Sequence, residues 1–479
     1  MRTKKHLKKR SKSHKSRRSR KSRQSRRSSR RIRGGVIDPT FRANLSQLVS
    51  TMPQQGHVSA YLSAVCSNSG YCIALGQNKK LINEYFDGFA NFKYAVSPMK
   101  RISSGNNGYV DQVIFKRNNY KAVCALKGAL FQDNDNLMYE AFVGTTFINN
   151  MCKFYPIFLE TYGLYYMDDP STISEIKDNK NPFSSLPPDT SLYHRLQPPE
   201  LFVVDPTEAD NLVDFGCNKP EQFCLLIEYL DSPKTMREFI GSYSTIPEFY
   251  TFNLPAILYQ VYSVLASLEN EFTHYDLHSS NCLYYTIPDN KYITMNYHKK
   301  NGSVTSFNTM YIVKIIDYGR CFVPDSDSFE EAVCDEAICN YSGDNVCGEQ
   351  FGFKWMIPAD KNDIQNYYIS SLVYNFSHDL RLANEVRKKL SVPISTTLGS
   401  IMKDLVYDET YGTKSIPPDK PNPNGKVRNT RELFNNLDYM VRTDNPFKNA
   451  NNTLFTSKQK LGDLHIYLDR SRPMEFILA

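Results

Sequence analysis

The chain has 479 residues, of which 41% are hydrophobic, 13% aromatic and 23% charged, so most of it can bury a core and general disorder is excluded. No run of roughly 18 apolar residues occurs and no apolar segment follows the basic N-terminus, so neither a membrane-spanning helix nor a secretory signal is expected. The formal charge of +8 is unevenly shared: residues 1–33 hold 18 Lys/Arg and no acid, which leaves 40 basic against 50 acidic residues, a net −10, in the remainder.

In chain order, "MRTKKHLKKRSKSHKSRRSRKSRQSRRSSRRIR" has too few apolar residues to fold, and residues 1–34 read as a disordered Arg/Ser/Lys-rich arm. Such an arm can neutralise nucleic-acid phosphates with release of counterions, be read by an import receptor, or be phosphorylated at its serines; an incidental solubilising tail is the plainer alternative. Residues 35–95 form an N-terminal extension of unassigned role around Cys66 and Cys72. From about 96 the pattern alternates as a strand does: "YVDQVIF" (109–115), a turn at "KRNNYK", then "AVCALKGAL" (122–130). A helical pattern follows in "DNLMYEAFVGTTFINNMCKF" (135–154), and residues 168–200, rich in Pro, Ser and Asp, read as a loop insertion extending to about 220. "FCLLIEYL" (223–230) has the unbroken apolar run of a central strand. "LPAILYQVYSVLASLENEF" (254–272) is a long helix with Pro255 in its first turn, and "YIVKIIDYG" (311–319) is another buried strand. The 11 cysteines show no disulfide rhythm, which fits reduced thiols in cytosol or nucleus.

Candidate chemistry is spread along this order. In "SSGNNGYV", Gly105, Gly108 and Val110 lie between two strands, where glycine lets backbone amides approach a phosphate; a plain hairpin is the alternative. Lys127 sits among apolar residues on the next strand and needs an anionic partner, which Glu140 on the following helix can supply. "THYDLHSSN" (273–281) places Asp276 two residues after His274 and five before Asn281. One carboxylate orients a hydroxyl and one amide holds magnesium in a phosphoryl-transfer loop of that spacing. Asp317 in "IIDYGR", after an apolar strand and before an aromatic-glycine pair, is placed to hold the metal too. Glycine loop, strand lysine, helix glutamate, D-x-x-x-x-N and aspartate-aromatic-glycine follow one another in the order of a protein-kinase fold.

On these motifs residues 96–400 resemble the eukaryotic-type protein kinase superfamily, and "HYDLHSSN" with "IDYG" resembles the divergent Ser/Thr kinases of large cytoplasmic DNA viruses. The resemblance implies an α+β, two-lobed fold: a small antiparallel β-sheet N-lobe (96–230, with the insertion) and a mainly helical C-lobe with a C-terminal extension (231–479). It implies ATP and Mg2+, with Ser103, Gly105, Gly108 and Val110 over the phosphates and Lys127 on the α/β-phosphates, paired to Glu140. Ile227 would be the gatekeeper, with Glu228 to Leu230 facing adenine. Asp276 would be the catalytic base with His278 beside it, and Asn281 and Asp317 the metal ligands. Protein substrates and a place in the host cytoplasm, nucleus or virion follow from the same resemblance.

The chain also departs from the pattern. Ser103 replaces the first glycine of the loop, Tyr275 stands where many kinases have arginine, and His278 replaces the lysine typical of Ser/Thr kinases. No A-P-E follows Asp317, and Cys334, Cys339 and Cys347 lack the spacing of a standard zinc pair, so free thiols are expected there. Asp379 in "FSHDLRLAN" is either a buried support for the catalytic loop or an N-cap. Asp214-Phe215-Gly216 is the closer literal match to the family's D-F-G motif. It precedes the strand at 223–230 and the loop at 273–281, so it is assigned to the insertion. Ser/Thr transfer to proteins is the first reading; a small-molecule phosphotransferase and a pseudokinase scaffold with a nucleic-acid-binding arm are its rivals.

Overall fold

A computed structural model describes residues 86–92, 94–104, 108–117, 120–129, 137–167, 193–196, 223–230, 233–243, 246–287, 290–324, 355–356, 367–369, 373–389, 396–408 and 414–479. The chain divides into Met1–Gly35 and Val36–Ala479, and every described residue belongs to the second unit. The basic arm, Gly105, Asp214-Phe215-Gly216 and Cys334, Cys339 and Cys347 lie outside the described residues.

The architecture is α+β. Strands β1 (Ala95–Ser104), β2 (Gly108–Arg117) and β3 (Tyr120–Ala129) form successive antiparallel hairpins. Helix α1 (Leu137–Phe142) continues through a π-helical stretch, Val143–Ile148, into Asn149–Met151. Strands β4 (Thr161–Met167), β5 (Tyr193–Leu196) and β6 (Phe223–Glu228) complete a six-stranded sheet of order β1-β2-β3-β6-β4-β5. The segment read as a loop insertion therefore contains a strand: Tyr193–Leu196 pairs with β4. A four-residue strand in a Pro-rich stretch is fixed by the edge it joins, which no local pattern reveals.

Period-2 alternation divides this sheet into two faces. Tyr109, Val113, Phe115, Cys124, Leu126, Tyr165, Cys224 and Leu226 pack in one cluster, which Phe86, Phe89 and Phe92 cover. The end of the N-terminal extension thus closes the outer face of the sheet. Leu164, Phe223, Leu225 and Ile227, on the other face, join the main core with α1. Gly128 is required by close packing on the outer face, where a Cβ would stand 2.4 Å from the Tyr109 ring.

Beyond β6 the chain passes β7 (Lys234–Thr235), α2 (Met236–Tyr243) and a π-helical turn, Phe249–Asn253, into α3 (Leu254–Ser267). Pro255, which cannot donate a helical hydrogen bond, stands in the first α-turn, directly after that π-turn. All of α3 from Leu254 to Ala266 is buried. Its polar side chains are satisfied by neighbours: Gln260 donates to the Tyr311 carbonyl and accepts from the Val313 N–H, at 3.0 and 3.1 Å.

Strand β8 (Cys282–Thr286) is followed by the hairpin β9 (Lys291–His298) and β10 (Val304–Thr309), then by β11 (Tyr311–Ile315), which returns antiparallel to β8. Short strands β12 (Trp355–Met356) and β13 (Tyr367–Ile369) pair with each other. Helices α4 (Arg381–Lys389), α5 (Thr397–Lys403), α6 (Thr430–Thr443) and α7 (Asn445–Thr453) follow. The chain ends in β14 (Gln459–Tyr467) and β15 (Glu475–Leu478), and β14 runs parallel to β9 in a sheet of order β10-β9-β14-β15. No helix among the described residues is long and apolar enough to cross a membrane.

One ion pair is wholly interior. Lys314 on β11 is 1% exposed, donates to the Phe158 carbonyl at 2.9 Å and lies 3.6 Å from the Glu228 carboxylate, itself 6% exposed. Glu228 also accepts from the Glu160 N–H at 3.2 Å. Removing one partner of such a pair leaves a desolvated charge and costs about 3–5 kcal/mol, whereas replacing both is often near neutral. Lys314→Met should therefore lose stability on that scale in chemical denaturation, and Lys314→Met/Glu228→Gln should regain most of it. Equal loss in single and double variants would show that the pair is not coupled.

Candidate functional site

The sheet lays the first group of candidates in a row. Ser103 pairs with Val110, Val110 with Lys127 and Lys127 with Leu225. Gly108 opens β2 two residues before Val110. Opposed residues of an antiparallel pair share a face, so Val110 and Lys127 lie on the face turned toward α1. Ile227 and Leu230 follow on and after β6, both packed in the main core. Glu228, expected to face adenine, has its carboxylate committed to Lys314 and its N–H to the Glu160 carbonyl. Its side chain is buried because the buried Lys314 needs an anion.

Lys127 meets two carboxylates. Its Nζ donates to Glu140 Oε2 at 2.6 Å and to Asp317 Oδ1 at 3.0 Å, joining residues 190 positions apart. Burial pushes Glu140 up and the Lys127 ammonium pulls it back; the same ammonium holds the Asp317 carboxyl below its usual range. Beside Glu140, the Tyr139 hydroxyl donates to the Cys321 carbonyl at 2.5 Å. Helix α1 is thereby tied both to β3 and to the segment after Asp317.

The loop Thr273–Asn281 is held from beneath. Asp379, 2% exposed, accepts the N–H of His274 through Oδ2 at 2.8 Å and that of Tyr275 through Oδ1 at 3.0 Å. It is a loop support, and the N-cap alternative falls, since Ser377 precedes that turn. Tyr275 takes a left-handed backbone, φ 60°, and Asp317 does likewise at 71°. Non-glycine residues are held there only where surroundings over-determine them. The Tyr275 side chain is buried and its hydroxyl donates to the Val373 carbonyl.

His274 connects the two motif segments. Its Nε2 donates to the Ile316 carbonyl at 3.0 Å, which leaves Nδ1 to accept the Asp276 N–H at 3.3 Å. Tyr318 is fixed likewise, accepting the Leu159 N–H at 2.9 Å and donating to the Ile315 carbonyl at 2.7 Å. The Asn281 amide donates to the Asp276 carbonyl at 3.0 Å, and the Asn281 carbonyl accepts the Ile316 N–H at 3.0 Å. Asn281 and Asp317 thus stand at adjoining ends of β8 and β11. Among the described residues no three His, Cys, Asp or Glu side chains gather into a metal-ligating group.

Asp276 is 16% exposed. Arg381 Nη1 donates to its Oδ1 at 2.7 Å, Arg320 Nη1 lies 3.8 Å from Oδ2, and His278 Nε2 lies 3.8 Å from Oδ1. Burial lowers His278, an effect that the Asp276 charge opposes. Ser279 N–H donates to Glu385 at 2.6 Å, and Lys389 donates to the Ser279 hydroxyl at 3.0 Å. Sequence reading missed Arg320, Arg381, Glu385 and Lys389. The last three recur every fourth residue, the spacing of one helix face, and that signal in "RLANEVRKK" points at a single neighbour.

No protein-family model matches the chain, and no curated protein matches it.

Burial lowers His274 to about 4 in the folded protein. The unfolded chain takes up this proton below its ordinary value of about 6.5, and the folded one only below about 4. In that window the unfolded state binds more protons, so stability falls as pH falls. The stability advantage of wild type over His274→Gln should therefore shrink between about pH 6.5 and 4, measured by denaturant unfolding at several pH values. A constant difference would show that His274 does not titrate as a buried neutral imidazole.

Proposed function

We propose that the chain is an ATP- and Mg2+-dependent protein kinase that transfers phosphate to Ser or Thr, with Asp276 as base, on a two-lobed kinase fold. The observation that carries this reading is the junction at Lys127. One ammonium bridges the Glu140 carboxylate of α1 and the Asp317 carboxylate beyond β11, while β11 lies beside the strand that follows Asn281. A lysine serving stability alone needs one carboxylate. A lysine between two, on a sheet face beside a glycine-bearing hairpin, suits a polyphosphate that replaces one of them.

The residues present fit a hard cation. Asp317 offers a carboxylate kept ionised by Lys127, and Asn281, whose amide nitrogen is occupied by the Asp276 carbonyl, offers an amide oxygen. Magnesium is held by few protein oxygens together with substrate phosphates. When bound it would neutralise charge on the transferring phosphoryl group. The chain's own residues do the rest. Lys127 binds the phosphates, Asp276 orients the acceptor hydroxyl and takes its proton, and Asp379 keeps the loop in a conformation that needs no rearrangement before transfer.

Asp317→Asn should lower the initial rate of ATP-dependent phosphorylation about a hundredfold or more, since it removes the negative charge that would hold magnesium. Asp276→Asn should be as damaging. Asp214→Asn should stay within about threefold, because its place in the motif order keeps it out of the proposed site and a substitution away from such features costs within ~0.5 kcal/mol. An inactive Asp214→Asn beside an active Asp317→Asn would reverse the order of the site. A wild type inactive on every protein and small-molecule acceptor would favour the pseudokinase reading.

Tyr275 has its hydroxyl on the Val373 carbonyl and offers no guanidinium for a phosphate. Phosphatase-treated enzyme should therefore keep its rate. A large loss, restored by phosphorylation of the segment after Asp317, would overturn phosphate-independent activity.

A further inference from the structure

Position 278, two residues after Asp276, holds histidine in place of the lysine of the resembling kinases, and histidine carries at most a fractional charge near pH 7. A full cation is nevertheless present at the base. It comes from helix α4: Arg381 Nη1 sits 2.7 Å from Asp276 Oδ1, the same oxygen that His278 Nε2 approaches at 3.8 Å. Both side chains are accessible from the site, at 31% and 26% exposure, so the guanidinium is not a buried core group.

Resting on the kinase reading, we propose that Arg381 is the positioning cation of this site, occupying the electrostatic place of the lysine absent from position 278. Its placement has a structural cause. Asp379, two residues earlier, is fixed by the N–H groups of His274 and Tyr275. Glu385 and Lys389, one and two helical turns later, hold Ser279. Arg381 lies between these anchors on the gripping face of α4, so its guanidinium reaches Asp276 without a search of conformations.

Its action is local. By fixing Oδ1, Arg381 leaves Oδ2 directed to the acceptor, with Arg320 Nη1 at 3.8 Å as a second cation beside that oxygen. In the transfer, the acceptor oxygen forms a bond to the γ-phosphorus as the bond from that phosphorus to the β–γ bridging oxygen breaks. The acceptor proton passes to Asp276, and the pair of electrons of the broken bond leaves on ADP. A hydroxyl hydrogen-bonded to Asp276 stands about 2.7 Å from the carboxylate, which brings the incoming phosphoryl oxygens close to the guanidinium. Arginine keeps its charge at every working pH and suits phosphate by its planar fork.

The test relocates the charge. Arg381→Gln, in the full chain, should lower kcat about a hundredfold with a smaller change in KM for ATP. His278→Lys in the Arg381→Gln background should recover at least tenfold of that loss, because a lysine there addresses the same Asp276 oxygen. Arg381→Lys should remain within about tenfold of wild type. Melting temperatures accompany each rate, and Arg381→Lys carries the test if Arg381→Gln does not fold. An Arg381→Gln variant as fast as wild type, a loss that His278→Lys does not relieve, or a folded Arg381→Lys as slow as Asp276→Asn would each overturn the proposal while active wild type leaves the kinase reading intact. A wild type that transfers no phosphate to any acceptor would remove both.

Discussion

A carboxylate taken out of water is stable only where donors surround it, and Asp379 obtains two of them from consecutive backbone N–H groups, those of His274 and Tyr275. Burial raises Asp379 to about 7, and both N–H groups together with Arg381 act against that rise. The two bonds fix successive peptide units, so Tyr275 is held in the left-handed region directly before Asp276. They add a backbone hold to the side-chain contacts that place His274 and Asp276. Helix α4 extends the same hold to Ser279.

Electrostatics arranges the other half of the site around Lys127. Glu140 and Asp317 compete for one ammonium, and the two differ in setting: Glu140 is 3% exposed and Asp317 43%. The buried partner holds α1 against the sheet and the accessible one is available to a ligand. Tyr139, bonded to the Cys321 carbonyl, makes the position of α1 depend on the segment after Asp317 as well. Sheet, helix and strand end are therefore tied to one another.

Two strands distant in sequence carry this geometry. β8 and β11 pair across the β9–β10 insertion, which brings Asn281 beside Ile316. The insertion in turn supplies the strand on which C-terminal β14 lies. The hairpin β9–β10 and the C-terminal strands β14 and β15 are two parts of one sheet. The Lys314–Glu228 pair joins β11 to β6 through the core.

Much of the local structure was legible. Alternation in "YVDQVIF" and "AVCALKGAL", the apolar run of "FCLLIEYL" and the continuous apolar surface of α3 follow from side-chain periodicity, which a chain carries in its own order. The lysine partner could be inferred too, since an ammonium in an apolar strand requires an anion and Glu140 was the nearest on a facing helix. The strand at Tyr193–Leu196, the inward turn of Glu228 and the Phe86–Phe92 cover of the sheet were not legible, because each depends on an edge, a cation or a face supplied by residues far along the chain. The sequence by itself determined which residues bear charge, carboxylate, amide and hydroxyl groups, and in what order. Only the tertiary structure decided that Asp379 supports the loop and does not cap a helix, and that the cation at Asp276 comes from Arg381. Charges find partners through space: the 105 positions that separate Arg381 from Asp276 hide from any local pattern a contact of 2.7 Å.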